Sequence, residues 1–290
     1  AKQEMKSTKN ALDGKHFFSM IYETKICRTS CIRASSPPGE TSLRRIGRTC
    51  PVPERLRMTV SRKEVNGMDL RHEWKHEISC CDRLVLRQRL SAVMQLDPHA
   101  IDGTYFIRSL YFDNGTDKAL REKLDGVNIR EKFRIRYYNH DISVIHLEKK
   151  SKRSGLGSKE TAPLSAGEAQ SIVDGDVAWM ASADRPLVRE LYRKMCGEGL
   201  APKTIVDYTR EPFLYGPGNV RVTLDYDLRT GLRSTDFLNP DCITIPAGDA
   251  PDLLEVKWDA FLPDIIRDLV QLPGRRAGAF SKYAACRIYD

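Results

Sequence analysis

The sequence predicts an α+β fold in which strands dominate and helices are inserted between them. Three observations carry this expectation. Five segments alternate charged and apolar residues with a period of two. Short turn sequences separate neighbouring strand candidates. Helical periodicity is confined to a few stretches.

In chain order, Leu70, His72, Trp74, His76 and Ile78 alternate with Arg71, Glu73, Lys75 and Glu77, which reads as a strand. Asp82 is placed to cap a helix over 83–95, with Leu86, Leu90, Val93 and Met94 on one stripe. A strand over Tyr105–Asp113 and a short helix over 117–124 follow. Strands over 130–138 and 143–150 flank Asn139-His140-Asp141, a hairpin signal. A helical stretch covers about 165–197. Strands over 204–210 and 219–227 flank Gly216-Pro217-Gly218, and another covers 253–258. Helices over about 263–271 and 280–288 come last.

Composition sets the limits. With 290 residues, 41% hydrophobic and 30% charged, the chain has an ordinary globular balance, which excludes wholesale disorder. No apolar run approaches the roughly 20 residues of a membrane helix, and no secretory leader pattern appears. The net charge of +8 is local. Residues 1–67 hold 14 Lys+Arg against 6 Asp+Glu, while residues 68–290 hold 33 of each. Residues 1–67 also lack sustained periodicity and contain the breaker run Ser35-Ser36-Pro37-Pro38-Gly39. They read as a poorly ordered basic extension, and 68–290 as the folded domain. A general nucleic-acid argument from charge therefore fails, and no nucleic-acid partner is expected. The eight cysteines include no CxxC pair, which suits free thiols in a reducing, cytoplasmic setting. Cys27, Cys31 and Cys50 have no fourth ligand at zinc-like spacing.

The informative feature is charge on the strands. Side chains at i and i+2 share a face. Arg134 and Arg136 line one face against Phe133, Ile135 and Tyr137 on the other. Glu73 and Lys75 line up, as do Glu148, Lys150 and Lys152; Arg221, Thr223 and Asp225; and Glu255 and Lys257. One explanation is a sheet with a solvated side. The other is a barrel whose apolar faces are covered by helices and whose ionic faces line a tunnel. An interior of Arg and Lys would carry a desolvation penalty of several kcal/mol per uncompensated ion. It makes sense if a polyanion occupies it, because Arg grips phosphate oxygens bidentately and Lys acts as a point charge. Glu73, Glu148 and Glu255 would repel phosphate unless a hard divalent cation lay between.

The motifs RHEWKHEIS (71–79), YFIRSLYFDN (105–114), KFRIRYYN (132–139), IHLEKKSK (145–152), TIVDYTREPF (204–213), VRVTLDYDLRTG (220–231), LLEVKWDAFLPDIIRDLV (253–270) and FSKYAACR (280–287) occur in that order. Together they resemble the VTC domain, the polyphosphate polymerase domain of the vacuolar transporter chaperone complex and its bacterial relatives, within the triphosphate tunnel metalloenzymes. The resemblance runs from about Met68 to Asp290. It implies a closed antiparallel eight-stranded β-barrel with helices packed outside, and transfer of the ATP γ-phosphate onto a growing inorganic polyphosphate chain with Mn²⁺ or Mg²⁺. Matched motif by motif, it implies that Lys75, Lys159, Arg210, Arg221 and Ser281 hold phosphate or nucleotide. Arg134, Arg136, Lys150 and Lys282 would act on the transferred group, and Glu255 and Glu73 would ligate metal. A further family arginine corresponds to either Arg121 or Lys123. The segment Glu73-Trp74-Lys75-His76-Glu77 is poorer in glutamates than the wider superfamily's run. The resemblance also implies a separate membrane subunit as a partner, with this chain peripheral to the membrane. A triphosphatase or other tunnel phosphohydrolase, and a non-catalytic polyphosphate-binding module, are the alternatives.

His72-Glu73-Trp74-Lys75-His76 also matches HExxH. Zinc chelation by that motif needs a helix. In a strand the two histidines stand roughly 13 Å apart at about 3.3 Å rise per residue, so they are expected to pack beside Trp74 instead. Asp113 reads as a strand-end turn residue and Tyr137 as core. No GxxxxGK[ST] or GxGxxG turn is present, so phosphate must be held by another device.

Overall fold

The computed structural model describes residues 71–153 and 156–288. The expectations for residues 1–67, including Cys27, Cys31 and Cys50, lie outside the described residues. Ten strands form one antiparallel sheet: β1 (His72–Ile78), β2 (Gln95–Leu96), β3 (Tyr105–Asp113), β4 (Ile129–Tyr138), β5 (Asp141–Arg153), β6 (Leu156–Leu164), β7 (Ala201–Tyr215), β8 (Val220–Thr230), β9 (Ile245–Pro246) and β10 (Asp252–Trp258). Eight of them run in the order β1-β10-β8-β7-β3-β4-β5-β6, with β2 added to β7 and β9 to β8. The helices are α1 (Cys80–Ser91), α2 (Lys118–Leu124), α3 (Ala166–Asp174), α4 (Pro186–Glu198), α5 (Asp264–Leu269) and α6 (Lys282–Cys286).

Local sequence explains most element ends. Ser79, not Asp82, is the N-cap of α1. Asp82 occupies the third helical position and completes a reciprocal capping box with Ser79. The same device, Ser165 with Glu168, starts α3. The helical stretch expected over 165–197 is two helices separated by a 3-10 turn at Ala178–Ser182, and Pro186 opens α4. The strand β6, LGSKETAPL, was not expected, because its Gly, Ser and Pro hide the alternation. Gly218 ends the β7–β8 hairpin at φ +75°, where a Cβ would collide with the Phe261 carbonyl.

Alternation sorts side chains onto two faces. On the convex face, Leu110, Phe133, Ile135, Leu147 and Ile205 are buried under α3 and α4, and Val222, Leu224, Leu254 and Val256 pack with Leu86, Leu90 and Ile266 of α1 and α5. Each buried Leu or Ile stabilises the fold by about 1.5–3 kcal/mol. The sheet curls far enough for Lys150 of β5, the strand next to the last in the order, to reach Glu73 of β1, the first, at 3.3 Å.

Two parts of the expected architecture are corrected. The barrel is an open, curled half-barrel, not closed. β1 and β6 approach in a single isolated bridge, Arg71 with Gly157, and form no ladder. The reason is that the free edge of β1 is already used. His76 bridges to Ala277, and the Gly278 N–H donates to the Lys75 carbonyl at 2.8 Å. Nor do all helices lie outside. Tyr283 and Cys286 of α6 pack on the inner face with Tyr105, Ile107, Tyr111, Val206 and Tyr208, and Leu120 of α2 joins them.

Candidate functional site

The inner face is built by the strand alternation read above. From β1, β4, β5, β6, β7, β8, β10 and α6, the cations Lys75, Lys132, Arg134, Arg136, Lys150, Lys159, Arg210, Arg221, Lys257 and Lys282 share it with Glu73, Glu148, Asp225 and Glu255. Among these named residues the cations outnumber the carboxylates.

The carboxylates are distributed so that one part of this surface is neutralised and another is not. Around Asp225 and Glu255, compensation is dense. Arg210 donates to both oxygens of Asp225 at 2.6 and 2.7 Å, and Lys282 lies 2.6 Å from Asp225 and 3.3 Å from Glu255. Lys75 and Lys257 approach Glu255 at 3.1 and 3.2 Å. Burial disfavours the Glu255 anion, but Lys282, Lys257, Lys75 and Arg210 hold its pKa well below the usual carboxylate range. Glu73, against the same opposing burial, is pulled down to about 2 by Lys75, Lys150 and Lys257. Glu148 accepts from Arg134 at 2.7 Å and from Lys159 at 2.9 Å.

Toward β4 and β5 the balance is positive. Lys132 faces the Tyr111 ring at 5.3 Å. Burial, then Arg134, Lys75 and Lys282, push its amine down to about 8 although the Tyr111 phenol pulls the other way. Lys150 falls to about 7 through burial and the cations Lys75, Lys257 and Lys132, against the pull of Glu73. Lys123 is lowered by burial and by Arg130, Lys75 and Lys152. Arg121 and Lys123 both lie on α2, and Lys123 donates to the Ala279 carbonyl at 3.3 Å. Burial would raise the Tyr111 phenol, but Arg134, Lys132 and Arg136 draw it down to about 7.

Hydroxyls orient the two central arginines. Arg136 donates to Ser109 Oγ at 2.8 Å and to Tyr208 Oη at 3.1 Å, and Arg134 donates to Tyr111 Oη at 2.7 Å. The Tyr208 ring is flanked by Lys282 at 4.7 Å, Arg210 at 5.4 Å and Arg136 at 5.7 Å, a cation–π arrangement. Sequence reasoning missed Ser109, Tyr111, Tyr208 and Lys132 as site residues. Their signal was present: each sits two residues from another inner-face position. Hydroxyls and a lysine beside Arg134 did not stand out as chemistry.

Of the residues singled out from sequence, Glu73, Lys75, Arg134, Arg136, Lys150, Lys159, Arg210, Glu255 and Lys282 come together on this face. Arg221 shares the face but reaches toward its rim, where Asp97 accepts from it at 3.4 Å. Ser281 lies beside Lys282, and its hydroxyl caps α6 by accepting from the Ala284 N–H at 3.3 Å. Asp113 is a turn residue: its carboxylate accepts from the backbone of Asn114, Ala119 and Leu120 and from Tyr283 Oη at 2.8 Å. Tyr137 is core, stacked obliquely on Phe237. His72 and His76 lie on strand β1, with His72 stacked on Trp258 and His76 edge-on to Trp74, so HExxH is not a chelating helix.

A cleft of about 1010 Å³ lies elsewhere, on the outer side between β1, α1 and α5. Its arginines Arg89, Arg267 and Arg275 are tied to the Gln271 carbonyl, Asp264 and Asp82, so it offers no converging free cations.

The sequence of the VTC domain family matches residues 70–288, and so covers nearly all the described chain. The chain belongs to the VTC domain family. Membership places it among tunnel-fold proteins whose chemistry concerns phosphate. No curated protein matches the chain. Solved structures that resemble it include the PH1819 protein of Pyrococcus horikoshii OT3, at 13% identity and TM-score 0.36 over 69% of this chain and 84% of its own. A candidate adenylate cyclase of Vibrio parahaemolyticus aligns at 9% identity and TM-score 0.38, over 69% and 81%. Among the described residues no helix is long and apolar enough to cross a membrane.

Proposed function

We propose that this VTC domain is a phosphotransferase that moves the γ-phosphate of ATP onto a growing inorganic polyphosphate chain. The observation that supports this best is the excess of inner-face cations, among them the half-buried Lys132 and Lys150, whose charged forms are disfavoured by burial and by neighbouring cations. Phosphoryl transfer needs alignment and charge neutralisation more than a protein nucleophile. Arg134 and Arg136, locked by Tyr111, Ser109 and Tyr208, present fixed guanidinium groups to the triphosphate. Lys150, Lys159 and Lys75 line the adjoining surface, and Arg210, Arg221 and Lys282 receive the neighbouring phosphates, with Ser281 placed to fix the start of α6. The attacking group is the terminal phosphate of the product chain.

Mn²⁺ or Mg²⁺ fits this surface in a limited sense. Glu73 and Glu255 are ionised, share Lys75 and Lys257, and offer hard oxygens, but among the described residues no group of three acidic, His or Cys side chains converges. That donor set suits a cation that takes its remaining oxygens from phosphate and water, held by Glu255 with Glu73. Such a cation supplies charge withdrawal from the phosphate oxygens. A separate membrane subunit as partner, with this chain at the cytoplasmic membrane surface, belongs to the same proposal.

The test is incubation of the full chain with ATP and Mn²⁺. Long phosphate chains together with ADP are expected, and their loss by at least a hundredfold in Arg136→Ala with folding retained. Orthophosphate alone would assign a phosphohydrolase, and binding without turnover would assign a polyphosphate-binding module.

A further inference from the structure

Nearly every polar side chain on the inner face has a partner. Ser109, Tyr111 and Tyr208 accept from arginines, and the carboxylates accept from cations. Two buried donors on β8 differ. The hydroxyl of Thr223 and Nε of Arg221 have no hydrogen-bond partner among the described residues. They stand at i and i+2 on one strand and therefore on one face. The register confirms which face: Thr223 lies opposite Glu255 on β10 and Pro212 on β7, while its neighbours Val222 and Leu224 are in the convex core. Thr223 is only 2% exposed. The Pro212 carbonyl already accepts from the Asp97 N–H at 3.1 Å, and Glu255 is engaged by Lys75, Lys257, Lys282 and Arg210. Hence the hydroxyl finds no acceptor on either side.

Buried polar groups without partners are rare, and leaving one destabilises a fold. Thr223, buried on the cationic face, points to an acceptor that arrives with the ligand, whereas the Arg221 guanidinium is held by Asp97. We infer that Thr223 is a phosphate-contacting residue: its hydroxyl donates to a non-bridging oxygen of the bound phosphate chain. The inference rests on the inner face being the phosphate site. It adds a neutral donor that a charge-based reading of the strands passes over. A hydroxyl at this depth also gives a geometric check on where the chain lies, since it reaches only an oxygen in direct contact with β8.

The probe is inorganic tripolyphosphate, titrated by calorimetry into the full chain, Thr223→Val and Thr223→Ser. Thr223→Val keeps the shape and removes the hydroxyl. It should weaken binding about tenfold, as expected for loss of one hydrogen bond to a charged group. The ligand-free Thr223→Val protein should melt no lower than the parent, because an unpartnered hydroxyl has been removed. Thr223→Ser should bind within about twofold of the parent. Binding by Thr223→Val within twofold of the parent overturns the inference. So does equal weakening in Val and Ser variants together with a lowered melting temperature, which would mark a packing role. Failure of the parent itself to bind tripolyphosphate overturns the phosphate-site reading, and this inference with it. Binding by the parent that only Thr223→Val leaves intact, while Arg136→Ala abolishes it, overturns the Thr223 role alone.

Discussion

Lys150 and Lys132 show how single residues can report on a ligand. In the fold their amines are pushed down to about 7 and about 8, because burial and neighbouring cations disfavour the charged form. Between about pH 7 and 10 the unfolded chain holds more protons than the fold at these positions, so their contribution to stability rises with pH across that window. A phosphate chain reverses the balance by favouring the ammonium, so binding draws protons in. Calorimetric titration of tripolyphosphate at pH 8 in buffers of different ionisation heat should therefore show greater proton uptake by the parent than by Lys150→Gln. The comparison between the two proteins cancels the ligand's own ionisation. Equal uptake would show that Lys150 does not change protonation on binding. At the same scale, Arg136 was legible in KFRIRYY from alternation, but its orientation was not. Ser109 and Tyr208 reach it from β3 and β7, separated from it in sequence by 27 and 72 residues.

At the scale of the element, the turns and caps decide where strands and helices stop. Gly218 is the most constrained position in the β7–β8 hairpin, with a positive φ and no room for a side chain beside Phe261 and Pro263. Gly126 has a similar φ of +72° but open space around it. Gly218→Ala should lower unfolding free energy by about 2–4 kcal/mol, and Gly126→Ala by about 1 kcal/mol, measured by urea denaturation. The order of the two is the test, because only the first adds a steric clash to backbone strain. The strands expected from the sequence kept their places. Those over 204–210 and 219–227 extend to Ala201–Tyr215 and Val220–Thr230, since long-range pairing with β3 and β10 rewards residues that local pattern leaves neutral.

For the whole molecule, the incomplete seam sets the dynamics. β3, β7 and β8 are paired on both sides, whereas β6 ends the sheet and β1 has only isolated bridges beyond β10. Backbone amides at the free edges should exchange with solvent well before those of β3 and β7 in native-state hydrogen exchange. Addition of tripolyphosphate should slow exchange in β1 and β6, the two strands at the gap that Glu73 and Lys150 span. Uniform protection around all eight strands would mean that the seam is closed in solution.

The period-two pattern, by itself, determined that five strands each carry an ionic face and an apolar face, because alternation is a local property of a strand. It also supplied most of the charged residues on the inner face. Tertiary structure decided what those charges do. The pairing of Arg210 with Asp225, the isolation of Thr223, the depressed amines of Lys132 and Lys150, the placement of α6 inside and the open edge between β1 and β6 all depend on which strands become neighbours. Such neighbours are set by burial and hydrogen bonding between segments far apart in sequence, and no local spacing encodes them.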